Sequence, residues 1–272
     1  MNPDISVIIP SYNSGRTIEP CLESLIKQSL KPEIIVVDDG SKDNTKTIVQ
    51  SFSQVKLLTQ THQGPGAARN LGVKKAKGEI LVFVDADMEF DQDFLQDLTK
   101  PIVTDKAKGS WSGNEQVANW DNIWARCWNY NQNRFFSHMT GSRGQRRVFR
   151  AILRSEFNRV NGFDSIGYTD DWSLVNKLGF KPAVTEARFY HHNPASLLAV
   201  FKKACWIGKR QYKLGKLGTL WTIFKSNAGF SIIIGATRAL VTKTPGFIIF
   251  KLVYDLGIML GALENLCFGS YY

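Results

Sequence analysis

Three polar clusters in this chain have residue types and spacing that could do chemistry: Ser11-Tyr12-Asn13, Asp38-Asp39 and Asp85-Ala86-Asp87. The last is a D-x-D, which brings two carboxylates to one side of an extended turn. Hard divalent cations accept such oxygens together with substrate phosphates. The chemistry suggested is therefore metal-assisted handling of a phosphorylated ligand. The first strand is not followed by G-x-G-x-x-G, and G-x-x-x-x-G-K-[ST] does not occur. The dinucleotide fold and the P-loop thus lose their main phosphate-cradling device.

The elements that must position these clusters alternate along the first hundred residues. Apolar runs at Ile5–Ile9, Ile34–Val37 and Ile80–Val84, with a weaker one at Val55–Leu58, read as strands. Between them, Thr17 opens a helix whose apolar positions Ile18, Leu22, Leu25 and Ile26 recur at helical spacing. Asp43 or Asn44 caps a second helix, and Gly64-Pro65-Gly66 starts a third that runs to Ala76. Fully apolar strands alternating with helices predict an α/β fold, with a mostly parallel sheet covered on both faces. In such sheets ligands bind beyond the carboxyl ends of the strands. The three polar clusters stand at those ends, which points to a nucleotide-type ligand.

With these residues in view, the chain resembles a family 2 glycosyltransferase of the GT-A fold. The resemblance rests on SVIIPSYN (Ser6–Asn13), VVDDGSKDNT (Val36–Thr45), GPGAARNLG (Gly64–Gly72) and GEILVFVDAD (Gly78–Asp87). NGFD (Asn161–Asp164) and TDDW (Thr169–Trp172) follow, the latter similar to the family's E-D segment with Asp in place of Glu. The resemblance implies that Asp39 accepts a hydrogen bond from the nucleotide base, with Pro10 and Tyr12 as the wall of that pocket. It also implies that Arg69 holds the nucleotide region. Asp85, with Ala86 beside it, would serve the ribose hydroxyls or the metal's water shell. Asp87 would ligate Mn2+ or Mg2+ at the diphosphate, and His191, rather than His192, would be a further ligand. Asp171 is the implied general base of an inverting transfer, taking the proton of the acceptor hydroxyl. Asp170 is its alternative, with helix capping as that residue's other use.

Other residues carry less. Trp120, Trp124 and Trp128 recur every four positions, as one apolar helix face would. Arg143, Arg146, Arg147, Arg150 and Arg154 suit either a phosphate group or a solvated face. Four scattered cysteines without a C-x-x-C pair argue against a thiolate metal site or a disulfide framework. The N-terminal stretch lacks the pattern of a signal peptide, so export is not expected.

The 272 residues carry 34 Lys+Arg against 24 Asp+Glu, a net charge of +10. Residues 1–195 account for only +2 of it, whereas 196–272 hold 10 basic and 2 acidic side chains, net +8. We therefore expect a GT-A catalytic domain over 1–195 and a basic, apolar helical region over 196–272 that associates with a membrane. Lys202, Lys203, Lys209, Arg210, Lys213 and Lys216 are interleaved with apolar and aromatic side chains, as in a helix lying in a membrane interface. Ala228–Ala236 is too short to span. The longer Gly246–Leu263 carries Lys251 and Asp255, and a G-x-x-x-G at Gly257 and Gly261 suits close helix packing. A monotopic or re-entrant tail is expected, with a single span over 246–268 or an ordinary packed helical subdomain as alternatives.

The expected function is sugar transfer from a UDP- or GDP-sugar to a membrane lipid or lipid-linked acceptor such as a polyprenyl phosphate, at the cytoplasmic face of a membrane. A polysaccharide or glycan acceptor, or an inactive GT-A scaffold, are the alternatives. No basic groove-reading module is visible, so nucleic acid is not an expected partner.

Overall fold

In the computed structural model, residues 4–135, 138–140, 148–164, 170–210 and 212–269 are described, with the backbone alone for 138–140 and Asp170. They fall into two compact units. The first draws on residues 4–116, 138–140, 148–164 and 170–191, and the second on 117–135, 192–210 and 212–269. Residues 117–135 thus belong with the C-terminal helices, although they precede the boundary expected at 195.

The first unit begins as its apolar pattern dictates: β1 (Ile5–Ser11), α1 (Ile18–Ile26), β2 (Glu33–Asp38), α2 (Thr45–Gln50), β3 (Val55–Thr59), α3 (Pro65–Lys75) and β4 (Ile80–Phe83). β5 (Met88–Phe90), α4 (Phe94–Val103), β6 (Gly109–Ser112) and β7 (Asn114–Val117) follow. Later come β8 (His138–Thr140), β9 (Ala151–Leu153), α6 (Arg154–Arg159), α7 (Asp170–Leu178), β10 (Ala183–Thr185) and β11 (Phe189–His191), with α5 belonging to the second unit.

Seven described strands form one sheet in the order β10-β6-β9-β4-β1-β2-β3. β1, β2, β3 and β4 run parallel, as do β6 and β10, and β9 is antiparallel to both its neighbours. This is the mostly parallel, helix-flanked sheet expected. Successive strand residues point to opposite faces. Val7, Ile9, Val36 and Val82 accordingly pack with Leu22 and Leu25 of α1. Ile8, Leu81 and Phe83 pack with Val73 of α3 on the other face, where Ile35 and Val37 meet Ala68.

Pro10 is tolerated inside β1 because of its position. Ser11 O accepts from Asp39 N on the β2 side, so Pro10 faces the β4 side, where pairing has ended at Ile8↔Phe83. β1 can therefore run on to Ser11 and deliver Tyr12 to the sheet's carboxyl edge. A second sheet, β5-β11-β7-β8, carries the later site residues.

The second unit contains α5 (Ile123–Asn131), α8 (Leu197–Gly208), α9 (Gly215–Lys225), α10 (Ala228–Thr242) and α11 (Phe247–Phe268). The helix expected through Trp120 starts only at Ile123, because Asn122 Oδ1 accepts from the backbone N–H groups of Trp124 and Ala125 and caps it there. Trp128 is core, packed with Val200, Ala204, Phe247 and Phe250. Gly257 and Gly261 let α11 approach α8 closely. A Cβ at Gly257 would lie 2.7 Å from the Ala204 Cβ, and one at Gly261 would collide with the Cys205 carbonyl.

The single-span alternative for 246–268 falls. Among the described residues no helix is long and apolar enough to cross a membrane. Within α11, Asp255 is buried, paired with Lys251 at 2.7 Å and accepting from Ser231 Oγ of α10 at 2.7 Å.

Candidate active site

The loops after β1 and β2 are stitched to each other by their own polar side chains. Lys42 N donates to Asn13 Oδ1, Asn13 N to Ser41 Oγ, Ser14 N to Thr45 Oγ1 and Gly15 N to Asp43 Oδ2. Partial burial would raise the Asp43 pKa, but donation from the Thr45 hydroxyl and nearby N–H groups outweighs it and holds the carboxyl below its usual range.

The twin aspartates divide the remaining work. Asp38 is fully buried and accepts from Gly40 N and Ser41 N, turning the chain at the strand end. Asp39, also buried, faces the loop before α3. Its Oδ1 accepts from Gln60 Nε2 (2.7 Å) and Gln63 N (2.8 Å), and its Oδ2 from His62 Nδ1 (2.8 Å) and Gly64 N (2.8 Å). The His62 ring in turn stacks on Tyr12, with centroids 4.1 Å apart. Tyr12 is exposed and Pro10 half-buried beside it. Tyr12 and Asp39, expected at one pocket, do lie together, but His62 joins them. No motif marked His62 or Gln60. The only available signal was their place in the loop leading to Gly64, whose φ of +87° suits glycine alone.

The GPGAARNLG segment forms α3, and each of three residues has a distinct task. Gly72 lets the helix lie against β1, since a Cβ there would come within 2.5 Å of Ile8 Cγ2. Asn70 exchanges two hydrogen bonds with the Phe163 backbone and so docks the NGFD turn. Arg69 is buried and bridges two carboxylates, its Nη2 lying 2.8 Å from Asp85 Oδ1 and its Nη1 2.9 Å from Asp171 Oδ1. The Phe163 ring lies 5.4 Å from the guanidinium carbon. The D-x-D acid and the expected base are thereby brought together. Asp170 starts α7, but its side chain lies outside the described residues, as does Thr169 of the TDDW segment.

The D-x-D occupies a tight turn after β4, closed by Met88 N donating to Asp85 O. Ala86 between the two acids is buried in the core, so any contact it makes with a ligand goes through its backbone. Asp87 Oδ1 lies 3.1 Å from His191 Nε2, and His191 Nδ1 lies 2.8 Å from Glu115 Oε1. Glu115, on β7, escaped the sequence reading because only the pairing of β11 beside β7 brings it to His191. Burial favours the neutral imidazole, but the Asp87 and Glu115 carboxylates outweigh it and push the His191 pKa up to about 9. His192 belongs to the second unit.

Two features fit a divalent cation at Asp87 and His191. The Nε2 atom is buried without a well-formed hydrogen bond. Glu115 holds the opposite ring nitrogen, as outer-shell carboxylates do for metal-bound histidines. Among the described residues no group of three or more His, Cys, Asp or Glu is placed to hold a metal by itself. A cation here would draw its remaining ligands from water and substrate phosphates, the usual manner for Mg2+.

Of the basic group, Arg154 spends its guanidinium on the Gly78 and Val73 carbonyls, and Arg150 stacks 4.6 Å from the Phe189 ring centre. Arg143, Arg146 and Arg147 lie outside the described residues.

Against known proteins, a family model described as glycosyl transferase family 2 matches residues 6–159. The uncharacterized glycosyltransferase YibD of Escherichia coli K12 is 36% identical over 44% of this chain and 38% of its own length. Glycosyltransferase GlyA of Streptococcus pneumoniae is 32% identical over 80% of this chain and 32% of its own length. The chain thus spans about a third of the length of these curated relatives. Among solved structures, Staphylococcus aureus TarS 1-349 in complex with UDP-GlcNAc aligns with a TM-score of 0.55 and 17% identity, covering 99% of this chain and 93% of that one. The mannosyltransferase PcManGT of Pyrobaculum calidifontis, with GDP-Man and Mn2+, gives 0.57 and 19%, covering 98% and 88%. At such identities the likeness establishes the GT-A fold.

Proposed function

This chain belongs to glycosyl transferase family 2, and on that premise we propose that it moves a sugar, with inversion, from a nucleoside diphosphate donor to a membrane lipid or lipid-linked acceptor. The observation that carries this reading is the buried Arg69, whose one guanidinium holds both Asp85 and Asp171. In this reading a donor-side carboxylate and a proton-accepting carboxylate share a single support.

In this reading the nucleotide base lies against Tyr12 and Pro10. Its N–H donates to Asp39 in place of the Gln60 or His62 side chain, since all four acceptor positions of that carboxylate are already used. Asp85 takes the ribose hydroxyls, with the Ala86 backbone beside it. Asp87 and His191 would hold Mn2+ or Mg2+, and Glu115 orients the imidazole. When bound, the cation neutralises charge on the departing diphosphate. Asp171 receives the proton of the acceptor hydroxyl as the new glycosidic bond forms on the face opposite the leaving group. Arg69 keeps Asp171 oriented for that step.

UDP- and GDP-sugars are the donors to test, because TarS and PcManGT hold UDP-GlcNAc and GDP-Man. The test is nucleoside diphosphate release across a panel of such donors, for the wild type and Asp171→Asn. We expect release with at least one donor and a loss of about a hundredfold or more in Asp171→Asn. Wild-type rates in the variant would remove Asp171 as base.

A further inference from the structure

We propose that α9 and α10 form a docking surface for an anionic phospholipid bilayer, lying in its interface without crossing it. The proposal rests on the reading above that transfer takes place at a membrane, and it names the surface that brings the protein there.

α9 buries almost nothing of itself. Thr219 is its one buried residue, whereas Leu217 is 73% exposed and Leu220, Trp221 and Phe224 are each more than half exposed. These positions are three, four and seven apart and so share one helical face. On α10, Phe230 and Ile233 continue the apolar surface, the latter 64% exposed. The bend between the helices is an aromatic cluster. Trp221 stacks on Phe224 at 5.6 Å, and Phe224 meets Phe230 edge-on at 5.6 Å. A soluble surface rarely leaves so large a contiguous apolar patch uncovered, whereas rings at a helical bend suit the boundary between headgroups and acyl chains.

Charge selects the occupant. From residue 196 to 254 the sequence contains no acidic residue. The two acids beyond are internally paired, Asp255 with Lys251 and Glu264 with Lys209 at 2.6 Å. The exposed charge that α9 and its flanks carry beside the apolar face is thus basic, from Lys213, Lys216 and Lys225, the last held 4.8 Å from the Trp221 ring centre. A second copy of the chain would bring like charges together. A duplex would match the lysines and leave the aliphatic side chains uncovered. An anionic leaflet satisfies both, with headgroup phosphates for the lysines and acyl chains for the apolar face.

The full chain is to be sedimented with vesicles of phosphatidylcholine alone and of phosphatidylcholine with phosphatidylglycerol. Three proteins are compared: wild type, Leu217→Glu/Phe224→Glu, and Lys213→Ala/Lys216→Ala. The substituted side chains are exposed, and circular dichroism checks that the variants stay folded. We expect the wild type to pellet with the anionic vesicles. The glutamate variant should stay in the supernatant, and the alanine variant should bind more weakly by about fivefold for each lysine lost. A wild type left in the supernatant, or a glutamate variant that pellets like the wild type, overturns the proposal. So does a wild-type dimer that the glutamate variant converts to monomer, since a second copy then covers the face. Donor hydrolysis without vesicles is measured in parallel. Hydrolysis without vesicle binding sinks the docking surface alone, and vesicle binding without hydrolysis of any nucleotide sugar sinks the transferase reading alone.

Discussion

Arg69 contacts carboxylates at both ends of the proposed site. Arg69→Lys keeps the charge but replaces a fork that reaches two carboxylates with a single ammonium. Turnover should fall about a hundredfold, the scale of a small misplacement of reacting groups; unaltered steady-state rates would show that the bridge is idle. Glu115→Ala removes the acceptor that fixes His191, and calorimetric titration should give a Mn2+ affinity ten- to a hundredfold weaker. An unchanged affinity would release Glu115 from that role. At this scale the motif-bearing residues were legible in the sequence: Asp39, Arg69, Asp85 and Asp87 stand at strand ends or a helix start, where apolar periodicity locates them. Glu115, His62 and Gln60 were not legible, because their partners come from segments 76, 23 and 21 positions away that only folding brings together. Asp170 and Asp171 cannot be ranked from sequence, since adjacent acids at a helix start differ only by rotation about its axis, and only the Asp171 side chain is among the described residues.

Among the elements, β1, β2 and β4 could be read from sequence because they are continuous apolar runs buried on both faces. β5 and β11 could not, being three-residue strands that exist by pairing with each other. α3 is the element that ties motif to fold, and its close approach to β1 is testable. Gly72→Ala places a methyl 2.5 Å from Ile8 Cγ2, and overpacking of this kind costs about 1–3 kcal/mol, to be read from urea unfolding. Wild-type stability would mean that α3 can shift without cost. α6 offers a pH signature. Hydrogen bonds from Lys108 and then Arg159 hold the Glu156 carboxyl below its usual range. A depressed folded-state pKa gives stability that is present above the unfolded value, near 4.5, and is lost as pH falls through the folded one. Glu156→Gln should therefore lower Tm at neutral pH and match the wild type in strong acid. Lys108 and Arg159 are largely exposed, so the difference should be about 1 kcal/mol or less. An equal deficit at every pH would refer the effect to packing.

Across the whole molecule, the charge of +10 divides by segment, with +2 over residues 1–195 and +8 over 196–272. Composition thus says little about the chemistry and much about the helices α8 to α11. The charge pattern of those helices could be read in advance, but their bounds could not: Lys202 to Lys216, expected on one helix, divide between α8, the connection after it and α9. Which of their faces stays exposed could not, because that depends on how Gly208, Gly257 and Gly261 draw α8 and α11 together. The basic, apolar surface implies a salt signature: vesicle association should weaken as ionic strength rises from 0.1 to 1 M, where the Debye length shrinks from about 10 to 3 Å. Insensitivity to salt would assign the attachment to apolar contact alone. In the proposed function, the cluster around Arg69, Asp85, Asp87, Asp171 and His191 performs metal-assisted glycosyl transfer from a nucleotide sugar. The measurement that bears on it most directly is nucleoside diphosphate release by the wild-type chain with Mn2+, repeated in excess EDTA. Release that EDTA abolishes is the expected result. Release untouched by EDTA, or none from any UDP- or GDP-sugar, would contradict it.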